Sequence, residues 1–400
     1  MIIKIFIFIL FLIYPSGEVL RFNVYPNVSL TVNDICVGLF VFVLIIFNNL
    51  KNLPFKNNIY IFIGVCILSL LYNFERFTFT QIFISSLYIF RWIIYFNLFF
   101  IFFNLKDYKF TEKLMIFSGF IFTIFGYIQY FFYNNLKNLY YLGWDDHLYR
   151  LFSTFLDPNF SGAFLVLYLF FLVGIYYSQK LISYKKLTLY LILFTIPAIF
   201  LTYSRSSLIM LITGGFFLLW FLNKKKQIIY FILIIILFVV TSFKYSTIEN
   251  MNLLRTASIN ARISSAKEAI TIIIDNPLIG IGFNTYRYTQ LKYKFRTDNI
   301  PYISHSDAGT DNSFLFILAT TGIIGLISFS LLIYQIINKT YISMIKYNNI
   351  YAPIFISSFI GILVNSQFIN SLFYPFIMEW LWILLALSVR QKNIKESNLI

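Results

Sequence analysis

The chain holds ten arginines and two histidines against a much larger number of lysines, and most of the arginines lie in one stretch. Arg150, Arg205, Arg255, Arg262, Arg287 and Arg296 fall between positions 150 and 296, bracketed by His147 and His305. A guanidinium is a fixed planar fork that grips phosphate oxygens through paired hydrogen bonds. An imidazole, with an ordinary pKa of about 6.5, exchanges a proton near neutral pH. Further polar groups stand directly ahead of apolar runs: Asp157 and Asn159 in Leu156-Asp157-Pro158-Asn159, and Asp311 and Asn312 in Thr310-Asp311-Asn312-Ser313. The inventory suits anion binding together with proton transfer.

The elements that position these groups are apolar helices. Of the 400 residues 59% are hydrophobic and 12% charged, and the mean hydropathy is +0.78; a soluble domain of that balance would expose too much apolar surface. Apolar runs recur end to end, each long enough to cross roughly 30 Å of hydrocarbon as a helix. They lie at about 3–16, 31–47, 58–73, 82–104, 110–132, 159–178, 187–203, 206–222, 227–243, 312–334, 351–369 and 373–389. No soluble domain intervenes, so the expected fold is all-α and polytopic, a single membrane domain over 1–400 with about twelve transmembrane helices. The net charge of +15 does not imply nucleic-acid binding: with the N-terminus cytoplasmic, the cytoplasmic segments hold 17 basic residues against three acids (Asp107, Glu112, Glu396). That excess is the positive-inside signal. It places both termini in the cytoplasm and eight of the ten arginines, with both histidines, on the outer side. The first apolar stretch ends in Tyr14-Pro15-Ser16-Gly17-Glu18 without a small-x-small cleavage site and reads as a retained helix rather than a signal peptide.

The outer connections carry the variety. One spans 133–158 and contains Trp144-Asp145-Asp146-His147; a tight turn runs Thr202-Tyr203-Ser204-Arg205-Ser206-Ser207; the longest loop covers 244–311, before the tenth span. Within it, Ile259, Ile263, Ala266, Ala269, Ile270, Ile273 and Ile274 recur at helical spacing, predicting an amphipathic helix over Ser258–Asp275. Asn276-Pro277 stops it, and Gly280 and Gly282 permit a tight return. Asp311 or Asn312 caps the helix that follows. Arg91 lies in mid-span, where an unpaired charge is costly; Glu379 is a candidate partner. Cys36 and Cys66 fall in apolar spans and offer no disulfide framework. Asp145, Asp146 and His147 are a conceivable hard-metal set, but adjacent side chains rarely converge on one ion.

Four segments, in order, resemble the O-antigen ligase and polymerase superfamily of bacterial envelope enzymes: Ser153-Thr154-Phe155-Leu156-Asp157-Pro158-Asn159; Leu201-Thr202-Tyr203-Ser204-Arg205-Ser206; Ala261-Arg262 leading a helix into Asn276-Pro277-Leu278-Ile279-Gly280-Ile281-Gly282; and Asp311-Asn312-Ser313-Phe314-Leu315 followed by Thr321-Gly322-Ile323-Ile324-Gly325. The resemblance covers a core of about 150–330. Where the family often has His-Asn this chain has Asp311-Asn312, and an aromatic common one turn after the loop arginine is Ala266. The resemblance implies a membrane-glycosyltransferase architecture of the GT-C-like kind. It also implies glycan transfer from a polyprenyl-diphosphate carrier to a glycan or lipid acceptor hydroxyl at the outer face of the inner membrane. No metal ion or other cofactor is implied; membrane lipids and other polysaccharide-assembly proteins are the further partners. On this reading Arg205 and Arg262 stabilise the leaving diphosphate and His305 is the base, with Arg150, Asp157, Asn159, Arg287, Asp311 and Asn312 binding substrate. Each residue also has a structural reading: Arg205 and Arg150 as interface anchors, Arg262 as the polar face of its helix, His305 as a solvated loop residue, Asp311 as a helix cap. A transporter or flippase whose arginines grip an anionic cargo is the rival from another class. Polymerase and ligase stay open, with the absent His-Asn leaning toward polymerase.

Overall fold

The computed structural model describes residues 2–25, 28–47, 54–105, 107–179, 181–233, 256–296 and 309–390. His305, Arg255 and most of the expected ninth span fall outside them; 225–233 is helical. The chain is a mostly helical, polytopic membrane protein. Thirteen named α-helices are described: α1 Ile2–Ile13, α2 Val32–Phe47, α3 Lys56–Tyr72, α4 Phe79–Asn104, α5 Tyr108–Phe132, α6 Pro158–Ser178, α7 Ile182–Leu201, α8 Arg205–Phe221, α9 Ala257–Asp275, α10 Tyr286–Lys292, α11 Ser313–Tyr347, α12 Tyr351–Asn365 and α13 Pro375–Val389. Six described segments are long and apolar enough to cross a membrane, five of them α4, α5, α6, α7 and α11 and the sixth running from Ile3 to Leu20. Five shorter helices are also apolar: Val32–Val43 of α2, α3, α8, α12 and α13. Expected and observed helices agree to within a few residues, save that α11 continues well past 334 on residues too polar to extend the hydropathy signal.

The innermost elements are α6 and α13, buried along nearly their whole lengths. Small residues let α8 and α12 approach closely: a Cβ on Gly361 would come within 3.1 Å of Met210 and 3.6 Å of the Gly214 Cα, the small-residue packing expected where lipid supplies no hydrophobic drive. Between α1 and α2 the chain makes a two-stranded antiparallel hairpin, β1 Arg21–Tyr25 and β2 Val28–Thr31, with Arg21 opposite Thr31 and Phe22 opposite Leu30.

One feature anchors the long loop to the bundle. α11 is broken at Gly322, whose φ of 65° is left-handed. The break frees backbone groups at membrane depth, where each unsatisfied one costs several kcal/mol. The 277–282 segment takes them up. Ile281 N and Gly282 N donate to the Ala319 and Thr320 carbonyls at 3.0 Å, while Ile323 N and Ile324 N donate to the Pro277 and Leu278 carbonyls at 2.9 and 3.4 Å. Ser69 Oγ of α3 donates to the Thr320 and Ile279 carbonyls, both at 2.7 Å, and Asn73 Nδ2 to Gly280 O at 3.0 Å. The segment between α9 and α10 is thus woven into two helices.

Gly322→Ala should lower the thermal midpoint in detergent. The left-handed backbone alone costs a Cβ about 1–2 kcal/mol, and that Cβ would collide with the Leu278 carbonyl. Gly64→Ala, where nothing lies within 4 Å, should leave the midpoint unchanged; fluorescence-detected size exclusion after heating reads both.

Candidate functional site

The helix ends on one side of the bundle enclose a cavity of about 1160 Å³. Asp157, Asn159, Arg262, Arg287 and Asp311 line it, and so do Asp145, His147, Arg21 and Arg91. The sequence thus places residues more than 150 positions apart around one space.

Its floor rests on the start of α6. Asp157 caps that helix, its Oδ1 accepting from Asn159 N at 2.6 Å and Phe160 N at 3.3 Å, with Pro158 at the first helical position. Behind it runs a buried polar brace. Arg150, 6% exposed, donates through Nε to Thr202 O at 2.9 Å and through Nη2 to Asn159 Oδ1 at 3.4 Å. Ser204 Oγ donates to the same Asn159 oxygen at 3.1 Å and accepts from Ser207 N, capping α8. Arg150 does not line the cavity; it locks the 202–204 turn to α6 and thereby sets Arg205, the first residue of α8. Arg205 donates through Nη2 to Ser258 Oγ on α9, and its guanidinium interacts electrostatically with that of Arg262. The two arginines from separate loops are therefore neighbours that repel each other, but only Arg262 lines the cavity.

Arg262 sits on α9, one turn past Ser258, and Arg287 is the second residue of α10. Among the described residues neither makes a hydrogen bond or ion pair, and both face the cavity. The remaining loop arginine that is described, Arg296, is engaged with Glu268 of α9 at 3.2 Å. Arg21 pairs with Glu18 at 3.2 Å and lies over Trp144 at 5.8 Å. Arg91 is held by Asp34 and by Ser29 O, each at 3.0 Å. Its partner is therefore Asp34 at the start of α2, not Glu379; Glu379 instead accepts from Asn33 Nδ2 at 2.6 Å.

Asn312 is the cap of α11: its Oδ1 accepts from Phe314 N and Leu315 N at 2.8 and 3.0 Å, and its Nδ2 donates to Gln367 O at 3.2 Å. With its amide so committed and absent from the cavity wall, Asn312 has a structural position; its neighbour Asp311 is the one that projects into the space. The Asp311 backbone N donates to Ser265 Oγ at 3.4 Å, tying the entrance of α11 to α9. Loss of hydration pushes the Asp311 carboxyl above the ordinary aspartate value; nearby Arg262 opposes the shift and Asp157 adds to it. Asp145 is likewise pushed up, first by loss of hydration and then by Asp157, Asp146 and Asp311, against Arg150. His147 Nε2 lies 4.0 Å from Asp157 Oδ2. Among the described residues no three His, Cys, Asp or Glu side chains converge to hold a metal ion.

Residues 189–330 match the O-antigen ligase family. This segment belongs to that family. No curated protein matches the chain. The matched segment contains Arg205, Arg262, Arg287, Asp311 and both segments of the Gly322 pairing, and the match supports a glycan-transfer role in polysaccharide assembly. The first 150 residues, outside the matched segment, nonetheless supply a good part of the cavity wall. Arg21 and Asp34 carry no site signal in the sequence, and Asp145 and His147 only that of the outer-side inventory and a conceivable metal set; alternating Phe22, Val24 and Val28, Leu30 about Pro26-Asn27 is the hairpin signal that points to Arg21.

Asp311→Asn should stabilise the folded protein at pH 7. A raised folded pKa means that ionising Asp311 disfavours the folded state, so the stability it contributes when protonated is lost as pH rises through that pKa. The neutral amide does not suffer this loss. The gain in thermal midpoint should shrink toward zero as the pH falls through the aspartate range and wild-type Asp311 is itself neutralised.

Proposed function

We propose that the cavity is the active site of a lipid-linked glycan polymerase or ligase acting at the outer face of the inner membrane. The protein would be a GT-C-like bundle of about twelve spans with both termini in the cytoplasm. The observation that carries this reading is the meeting, in one cavity, of two guanidiniums that make no hydrogen bond or ion pair among the described residues, Arg262 and Arg287, with Arg205 near enough to the first to be repelled by it.

In the reaction, the acceptor hydroxyl oxygen bonds to the anomeric carbon of the donor glycan. The bond from that carbon to the diphosphate oxygen breaks, its electron pair leaves with the diphosphate, and the hydroxyl proton passes to a base. Charge develops on the leaving oxygens, and Arg262, Arg287 and Arg205 neutralise it in a space partly closed to water, where such contacts count for most. Arg150 and Asn159 act behind them as positioning residues, and Asp157 fixes the α6 end. Two groups are in line to take the proton. Asp311 is a cavity carboxylate whose raised pKa makes it a stronger base than a solvated aspartate; His305, outside the described residues, stands six positions earlier. A polymerase, with a second lipid-linked glycan as acceptor, is the favoured version, because Asp311-Asn312 departs from the family's His-Asn.

The test is reconstitution in liposomes with a polyprenyl-diphosphate oligosaccharide, reading chain extension without added metal. Arg262→Ala and Arg287→Ala should each lower turnover by about 10²–10³; undiminished product from both removes the diphosphate grip. The base shows itself in the pH profile. If it is Asp311, Asp311→Asn loses about 10²–10⁴ in turnover while gaining stability. In that case Arg262→Ala shifts the acidic limb to higher pH, because the arginine no longer holds the carboxyl down. If His305→Ala removes the limb instead, the histidine is the base.

A further inference from the structure

A second cavity, of about 780 Å³, opens beside the charged one. Its walls are mainly apolar: Phe125 and Ile128 of α5, Leu139 and Leu142 of the following loop, and Phe152 and Leu156 ahead of α6. Phe125 and Ile128 are 40% and 49% exposed and lie two turns and one turn before the end of α5, on a helix apolar enough to cross the membrane; this side of the chamber opens on that helix's exposed apolar face. Its other end is polar and shared. Glu18, Arg21, Asn23 and Trp144 line both cavities, and Arg21, paired with Glu18 and set over the Trp144 ring, stands at the junction. Every wall residue comes from 16–156, outside the segment that matches the O-antigen ligase family.

An apolar chamber with an exposed apolar helix face at one end and a cation at the other, sharing that wall with a space that carries two guanidiniums without a hydrogen bond or ion pair among the described residues, has the polarity of a single-chain lipid with an anionic head. Its volume is in the range of about 300–1,000 Å³ that one ligand fills, too small for a cluster of acyl chains. We propose that this chamber seats the first isoprene units of the polyprenyl-diphosphate donor, with Arg21 meeting the lipid-proximal phosphate in place of Glu18 and the distal phosphate reaching Arg262 and Arg287. The proposal rests on the transfer reading above and names where its donor lies: the N-terminal hairpin, through Arg21, is part of the donor site. Arg21 is paired before the donor arrives, so binding exchanges one anionic partner for another and leaves no bare cation beside the membrane.

Photo-cross-linking tests it in the full-length protein in liposomes. The photoreactive residue p-benzoylphenylalanine replaces Ile128, and in a control replaces Ile212, an exposed position on α8; the probe is radiolabelled polyprenyl diphosphate. The expected result is a several-fold higher yield at position 128, suppressed by unlabelled polyprenyl diphosphate but not by phosphatidylglycerol, and reduced when Arg21→Ala is added. Equal yields at the two positions, or equal competition by phosphatidylglycerol, would overturn it, marking ordinary boundary lipid. Chain extension measured on the wild type in parallel separates the two readings. Extension without selective cross-linking removes the chamber and leaves glycan transfer; selective cross-linking without extension supports the lipid seat and removes the transfer.

Discussion

The break in α11 at Gly322 and the segment threaded against it govern where the cationic groups stand. A helix interrupted inside an apolar bundle must have its freed amides and carbonyls satisfied by protein, and here residues 277–282 do so from both sides of the break. That requirement fixes the end of α9 and the start of α10. Arg262 lies on α9, whose end is tied at Pro277, and Arg287 five residues past Gly282, so the constraint that satisfies the broken backbone also positions two guanidiniums. Arg76 Nη1, donating to Asn276 Oδ1 at 2.7 Å, and the Arg296–Glu268 pair hold the same unit from outside.

A second consequence concerns charge. Concentrating Arg21, Arg91, Arg262 and Arg287 around one space would be self-defeating without counter-charge. The structure divides the arginines into two classes: Arg21 and Arg91 are paired with Glu18 and Asp34, whereas Arg262 and Arg287 are left to balance against unbridged carboxylates across the cavity. On the proposed reading, an arriving diphosphate would replace a diffuse balance with direct contacts. The cost is borne by Asp145 and Asp311, whose carboxyls are pushed above their ordinary range first by loss of hydration and then by Asp157 near both; such perturbed groups in a cleft are candidates for proton transfer.

Much of this was legible in sequence, and what was not has identifiable causes. Helix positions followed from apolar run length, and α9 from its period, because both signals are local. Asn312 as one of two candidate caps, and Gly280 and Gly282 as a return, were readable from residue type. The break at Gly322 was not: Thr321-Gly322-Ile323-Ile324-Gly325 is apolar throughout, and a glycine within an apolar run is as compatible with a continuous span as with an interruption whose partner lies 40 residues away. Arg91 required a partner, but hydropathy cannot say which acid approaches, and Asp34 reaches it where Glu379 was the candidate. Arg150 and Asn312 carry residue types suited to substrate, yet their donors and acceptors are spent on the 202–204 turn and on α11; geometry separates them from Arg287 and Asp311, which line the cavity.

The central claim is that Arg262 and Arg287 form one diphosphate-binding surface. Phenylglyoxal modification of the reconstituted protein, mapped by mass spectrometry with and without inorganic pyrophosphate, addresses it without reference to turnover. Pyrophosphate should shield Arg262 and Arg287 together, over the same concentration range, while Arg76 stays as reactive as before. Undiminished modification of both at saturating pyrophosphate, or shielding of one without the other, would contradict a shared site.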